Sequence, residues 1–130
     1  MTRRHHVMIL DDEPNIGLSL KLILEGEGYR VTICESASQF QAARARARAD
    51  LYLLDVRLPD GNGIDVLRSL KQADDPAPAV MISGHGTIRD AVEATRSGAF
   101  DFLEKPLARD RVLLVIKNCL LYTSPSPRDS

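Results

Sequence analysis

The sequence predicts an α/β protein in which five parallel strands form one doubly wound sheet with helices on both faces. Strand-length segments recur five times and alternate strictly with stretches of helical spacing or helix-cap signals, as right-handed strand-helix-strand crossovers require. The segment Leu51-Tyr52-Leu53-Leu54 is apolar at every position, the pattern of a strand buried on both faces. Acidic, hydroxyl and basic residues stand at the ends of these segments, where open parallel sheets place their chemistry: Asp11-Asp12, Asp55, Ser83 and Lys105.

Val7-Met8-Ile9-Leu10, flanked by basic residues and stopped by Asp11-Asp12-Glu13, reads as the first buried strand. Pro14 suits the first turn of a helix, where its missing N–H costs nothing, and Ile16, Leu20, Ile23 and Leu24 follow at helical spacing until Gly26 and Gly28. Residues 29–34 alternate and are β-rich, giving the second strand. Ser36 or Ser38 caps the next helix, with Phe40, Ala43 and Ala47 on its inner face. Arg44, Arg46 and Arg48 are expected to form a solvated helix surface and not a phosphate site, because at about 100° per residue Arg46 points away from the other two.

The third strand ends at Asp55, and Pro59-Asp60-Gly61-Asn62-Gly63 is dense in turn formers. A helix over residues 64–70 is closed by Asp74-Asp75-Pro76-Ala77-Pro78. Ala79-Val80-Met81-Ile82 is the fourth strand, with Ser83 at its end and Gly84-His85-Gly86 as a flexible loop. Thr87 and Asp90 fit a capping-box variant opening a helix that ends at Gly98. Residues 99–103 form the fifth strand, and the last helix covers residues 109–121. Val112, Leu113, Leu114, Val115, Ile116, Cys119, Leu120 and Leu121 make that helix apolar on more than one face, so a second contact is expected, either a dimer partner or an output domain. The first strand is followed by no Gly-rich dinucleotide fingerprint, which favours the flavodoxin-like order 2-1-3-4-5 and places Asp11, Asp12 and Asp55 around the crevice between strands 1 and 3.

At 130 residues the chain fits one domain, with an ordinary 44% hydrophobic and 27% charged residues. Seventeen basic against eighteen acidic residues leave a net charge of -1 and no footprint of direct nucleic-acid binding. No apolar run reaches membrane-spanning length and the N-terminus lacks a signal peptide, so the expectation is a cytoplasmic protein with no membrane partner. Cys34 and Cys119 form no redox or zinc pattern and are read as apolar fillers. His5, His6 and His85 lack ligand spacing and are read as solvated. Residues 122–130 are Pro- and Ser-rich, either a linker or a cloning or assembly scar, which leaves residues 1–121 as the domain.

Carboxylates converging on a crevice repel one another unless a cation or protons intervene, and a small set of hard oxygen ligands suits Mg2+ better than zinc. Asp55 taken alone reads equally as a turn cap. With Ser83 and Lys105 facing the same rim, it is better read as a nucleophile whose phosphoryl group the hydroxyl and ammonium would hold.

The set Asp11-Asp12, Asp55, Ser83 and Lys105-Pro106 closely resembles the receiver domain of bacterial two-component response regulators, over residues 7–121. The stretches from Ser83 to Ile88 and from Gly98 to Leu107 further resemble receivers of NtrC-type transcriptional activators, which carry an ATPase and a DNA-binding domain. The resemblance implies a CheY-like fold, phosphorylation of Asp55 by a sensor histidine kinase, and no enzymatic activity beyond the domain's own phosphoryl transfer and dephosphorylation. It implies Mg2+ held by Asp12, Asp55 and the backbone carbonyl of Arg57, with Asp11 acting mainly through water. It makes Ser83 and Phe102 the switch residues, acting on a surface of helix 4, strand 5 and helix 5 that would serve a homodimer or an output domain, and it implies a cis Lys105-Pro106 bond. His85 and Arg57 are placed to modulate water access to the phosphoryl group. Two alternatives stay open: a pseudo-receiver that only binds partners, and an Asp-nucleophile phosphatase, which Arg57 disfavours because that class carries an acid two residues after the nucleophile.

Overall fold

A computed structural model gives the structure of the protein and describes residues 4–84 and 87–123, with side chains to residue 121. The strands are β1 (His6–Leu10), β2 (Arg30–Cys34), β3 (Leu51–Asp55), β4 (Ala79–Ser83) and β5 (Asp101–Glu104). The helices are α1 (Pro14–Gly26), α2 (Ala37–Arg46), α3 (Gly63–Gln72), α4 (Ile88–Arg96) and α5 (Arg109–Thr123). All strand pairs in the sheet are parallel and the order is β2-β1-β3-β4-β5, as the sequence predicts. Among the described residues no helix is long and apolar enough to cross a membrane.

Successive side chains of a strand point to opposite faces, and both faces of this sheet are covered, which is why its strands are continuously apolar. Met8, Leu10, Tyr52, Leu54 and Met81 face α2, α3 and α4 and pack with Phe40, Ile64, Leu67 and Ala94. Val7, Ile9, Leu51, Leu53, Val80 and Ile82 face α1 and α5 and pack with Leu20, Leu24, Val112 and Ile116. Each large side chain fully buried here contributes about 1.5–3 kcal/mol relative to exposure. Cys34 and Cys119 are buried and in no disulfide, as fillers should be.

Several expectations are corrected. His6 is buried at the start of β1: its ring nitrogens lie 2.8 Å from the Arg48 carbonyl and 2.7 Å from the Thr32 hydroxyl, and its backbone N–H donates to Asp50 Oδ2 at 2.7 Å. A polar ring with both nitrogens paired can enter the core at little cost, so this histidine ties β2 to the segment before β3. Helix α2 stops at Arg46, and Ala47 is extended and exposed, so the inner face ends at Ala43. Arg44 is not a solvated surface residue: its guanidinium lies 2.8 Å from Asp75 Oδ2, which also accepts from the Tyr52 hydroxyl at 2.6 Å. Nor is α5 surplus to the sheet to the extent predicted, since Val112, Leu113, Val115, Ile116 and Cys119 are all buried, leaving Leu114 (53% exposed) and Leu121 (71%) outside.

Burial alone would raise the Asp75 carboxyl, but hydrogen bonds from the Tyr52 hydroxyl, the Ala77 N–H and Arg44 outweigh it and hold the carboxyl below its usual range. The stability this carboxylate contributes is therefore present above the unfolded pKa of about 4 and is lost as pH falls through the lower folded value. Asp75→Asn is expected to lower stability at pH 7 by about 1–3 kcal/mol. In urea melts the gap from wild type should close as the pH drops below about 4.

Candidate functional site

The strand register brings the predicted residues to one rim. Leu10 lies between Cys34 and Leu54, Asp55 pairs with Ile82, and Ser83 pairs with Glu104, so Asp11, Asp55, Ser83 and Lys105 lie at or just past the ends of four adjacent strands. Asp11 is fixed by its N–H, which donates to the Cys34 carbonyl at 3.0 Å, and by its Oδ1, which accepts from the Glu13 N–H at 2.9 Å. Its other oxygen, Oδ2, is buried and has no hydrogen-bond partner. The Lys105 ammonium is 3.1 Å away and forms an ion pair with that oxygen, at angles too poor for a hydrogen bond. Burial pushes the Asp11 carboxyl up to about 6; the Glu13 N–H opposes this, the Asp55 charge adds to it, and Lys105 opposes it again.

Asp55 is buried at the end of β3. One carboxylate oxygen accepts from the Arg57 N–H at 3.2 Å and the other from Lys105 Nζ at 3.2 Å. Asp12 is exposed, yet one of its oxygens lies with oxygens of Asp11 and Asp55 in a group spanning no more than 4.8 Å. Lys105 also forms an ion pair with Glu13. Desolvation would lower its ammonium pKa, but the pairs to Glu13, Asp11 and Asp55 outweigh that and hold it above the usual lysine value. One cation thus spans three carboxylates.

Ser83 is buried at the end of β4, where its carbonyl accepts from the Lys105 N–H at 2.8 Å. Phe102, opposite Met81 in the register, is half-buried against the core on the α4 side of the sheet. The Lys105-Pro106 bond is cis. The Arg57 side chain is exposed, and His85 lies outside the described residues.

Two residues beside Asp55 escape a reading by strand ends. Glu13 is noticeable in the sequence only as a third acid, with nothing to show that it meets a lysine 92 positions away. Gly63 looks like one of several turn glycines, but a Cβ there would fall 1.9 Å from the Asp55 carbonyl oxygen, so the first turn of α3 packs directly on the backbone of that acid. Between β3 and α3, Arg57–Leu58 pairs antiparallel with Gly61–Asn62 as an unpredicted two-residue ribbon. Asp60 in its turn accepts from the N–H groups of Ala37 and Ser38 at 2.9 and 3.3 Å, anchoring the ribbon to the start of α2.

The donor set fits Mg2+. Three carboxylates offer hard oxygen ligands at close quarters, and the orphaned Asp11 Oδ2 is a buried polar atom that a cation or a cation-bound water would satisfy.

Residues 7–117 match the family model for the response regulator receiver domain. The chain is 34% identical over 128 residues to the transcriptional regulatory protein FixJ of Bradyrhizobium diazoefficiens, covering 98% of this chain and 62% of that protein. It is 39% identical over 118 residues to the nitrogen assimilation regulatory protein NtrX of Azorhizobium caulinodans, covering 89% of this chain and 26% of that protein. The chain therefore spans less than two thirds of either relative. The solution structure of the beryllofluoride-activated NtrC4 receiver domain dimer superposes with a TM-score of 0.87 at 34% identity, over 92% of this chain and 98% of that one.

Proposed function

Since the chain belongs to the family of response regulator receiver domains, we propose that Asp55 accepts a phosphoryl group from a sensor histidine kinase and passes the signal to an output domain of the NtrC-type transcriptional class. The observation that carries this reading is the placement of Asp55: buried at a strand end, 3.2 Å from Lys105 Nζ and grouped with two further carboxylates.

In the transfer, an Asp55 carboxylate oxygen attacks the phosphorus of a phosphohistidine; the new O–P bond forms as the N–P bond breaks, and the imidazole leaves. Lys105 orients the carboxylate beforehand and then pairs with a phosphoryl oxygen, while the Ser83 hydroxyl donates to another. Asp11, Asp12, Asp55 and the Arg57 carbonyl would hold Mg2+, Asp11 mainly through water, and the ion supplies neutralisation of charge on the transferred group. Arg57, two residues after Asp55, and His85, two residues after Ser83, modulate the access of water to the phosphoryl group. The domain turns over only its own phosphoryl group.

The charge gained at Asp55 draws Ser83 toward it, and Phe102 fills the space released, which resets the surface of α4, β5 and α5. Exposed large apolar side chains stand on both helices of that surface, Ile88 (85% exposed) and Val92 (44%) one turn apart on α4 and Leu114 and Leu121 on α5. They support a homodimer or output-domain contact in the cytoplasm. Incubation with acetyl phosphate and Mg2+ tests the reading: a single phosphoryl group per chain, seen by intact mass, is the expected result. Sustained turnover of a small phosphate ester would point instead to a phosphatase, and the absence of any adduct to a pseudo-receiver.

A further inference from the structure

Resting on that reading of the site, the geometry around Lys105 points to Glu13 as a positioning residue that holds the lysine ammonium at the outer rim of the crevice and so keeps the buried oxygen of Asp11 open to a divalent cation. Lysine carries three N–H donors and no acceptor. Here Nζ is shared among Glu13 Oε1, Asp55 Oδ2 at 3.2 Å and Asp11 Oδ2 at 3.1 Å, yet only the first two are hydrogen-bonded. The inner two acceptors come from buried carboxylates, whereas the Glu13 side chain is 58% exposed, so its pull on Nζ is directed outward. Without the outward pull of Glu13, Nζ would swing inward until Asp11 Oδ2 comes into hydrogen-bond geometry with one of its three N–H groups, because a buried carboxylate oxygen without a donor is costly.

The backbone of Glu13 is placed for this task. Its N–H is bound to Asp11 Oδ1 at 2.9 Å, and its carbonyl accepts from the N–H groups of Ile16 and Gly17 at 3.1 and 3.2 Å. With the main chain pinned at both ends, little freedom is lost when the side chain reaches Lys105. Glu13 thereby lets one lysine meet two demands: it stays within reach of Asp55, and it does not seal the acidic crevice.

The test is a double-mutant cycle read by calorimetric titration of the full chain with Mg2+ alone, without phosphodonor. Glu13→Gln is expected to weaken Mg2+ binding about three- to ten-fold in the wild-type background. In a Lys105→Met background, with Lys105→Gln as the substitute should that variant not fold, the same change is expected to cost less than about two-fold, since the lysine through which Glu13 acts is gone. An equal loss in both backgrounds, or no loss in either, overturns the assignment, the former because Glu13 would then act on the cation directly. Wild-type chain carried through the acetyl phosphate experiment separates the two levels. If it binds Mg2+ and gains its phosphoryl group while the cycle shows no coupling, only the role of Glu13 falls. If it does neither, the receiver reading itself falls and Glu13 with it.

Discussion

Gly63→Ala is expected to destabilise the protein by about 3 kcal/mol or more and to slow phosphorylation of Asp55 at least ten-fold. The added methyl group would sit 1.9 Å from the Asp55 carbonyl oxygen and 2.8 Å from its carbonyl carbon, far inside van der Waals contact with backbone atoms that cannot rotate away. Retreat of α3 is opposed by the Gly63 N–H, bound to the Val56 carbonyl at 2.8 Å, and by Asn62, whose side chain accepts from the Ile64 N–H at 2.7 Å. The end of β3 must therefore shift, and Asp55 with it. Gly26→Ala is the matched control: nothing lies within 4 Å of the added methyl, and that variant should keep wild-type stability in denaturant melts and wild-type phosphorylation.

The second large effect concerns Asp11. Its carboxyl rises from the ordinary 3.8 to about 6, chiefly through burial, with the Asp55 charge adding to the rise. A carboxyl raised in the folded state binds more protons than in the unfolded chain, so stability falls as pH climbs from about 4 to 6 and stays lowered above that window. The rise corresponds to about 3 kcal/mol at neutral pH. In chelator at pH 7, Asp11→Asn is expected to be more stable than wild type by up to that amount, about 3 kcal/mol, and its stability should be nearly flat between about pH 4 and 7. Added Mg2+ should raise the melting temperature of wild type more than that of Asp11→Asn, which keeps Asp12, Asp55 and the Arg57 carbonyl but loses the charge that would hold the cation's water. Thermal melts at several pH values, with and without Mg2+, check both statements. A site that lowers the stability of its own fold is what a charge-binding crevice requires.

The sheet was legible because a strand covered on both faces must be apolar at every position: β1, β3 and β4 stand out as uninterrupted runs, and the residues closing them are the ones that reach the rim. Asp11, Asp12, Asp55 and Lys105 were found from that rule together with a family likeness. What escaped depends on contacts between distant segments. Glu13 and Lys105 meet only because β1 and β5 end on the same side of the sheet. Arg44 looked solvated because helical spacing says nothing about Asp75, which arrives from the loop after α3. His6 looked like part of a polar N-terminus because its partners, Thr32 and Arg48, lie on other segments. Helix α5 lies along the sheet and buries more of its circumference than a single stripe, so that Leu114 and Leu121 are the large apolar side chains it leaves outside.

Peptide mapping after incubation with acetyl phosphate and Mg2+ tests the role of Asp55 most directly. The phosphoryl group should map to the peptide containing Asp55, be labile in base, and vanish in Asp55→Asn while persisting in Asp60→Asn, whose carboxylate faces the start of α2. An adduct that survives in Asp55→Asn, or one that disappears in Asp60→Asn alone, would contradict the assignment of Asp55 as the phosphoacceptor.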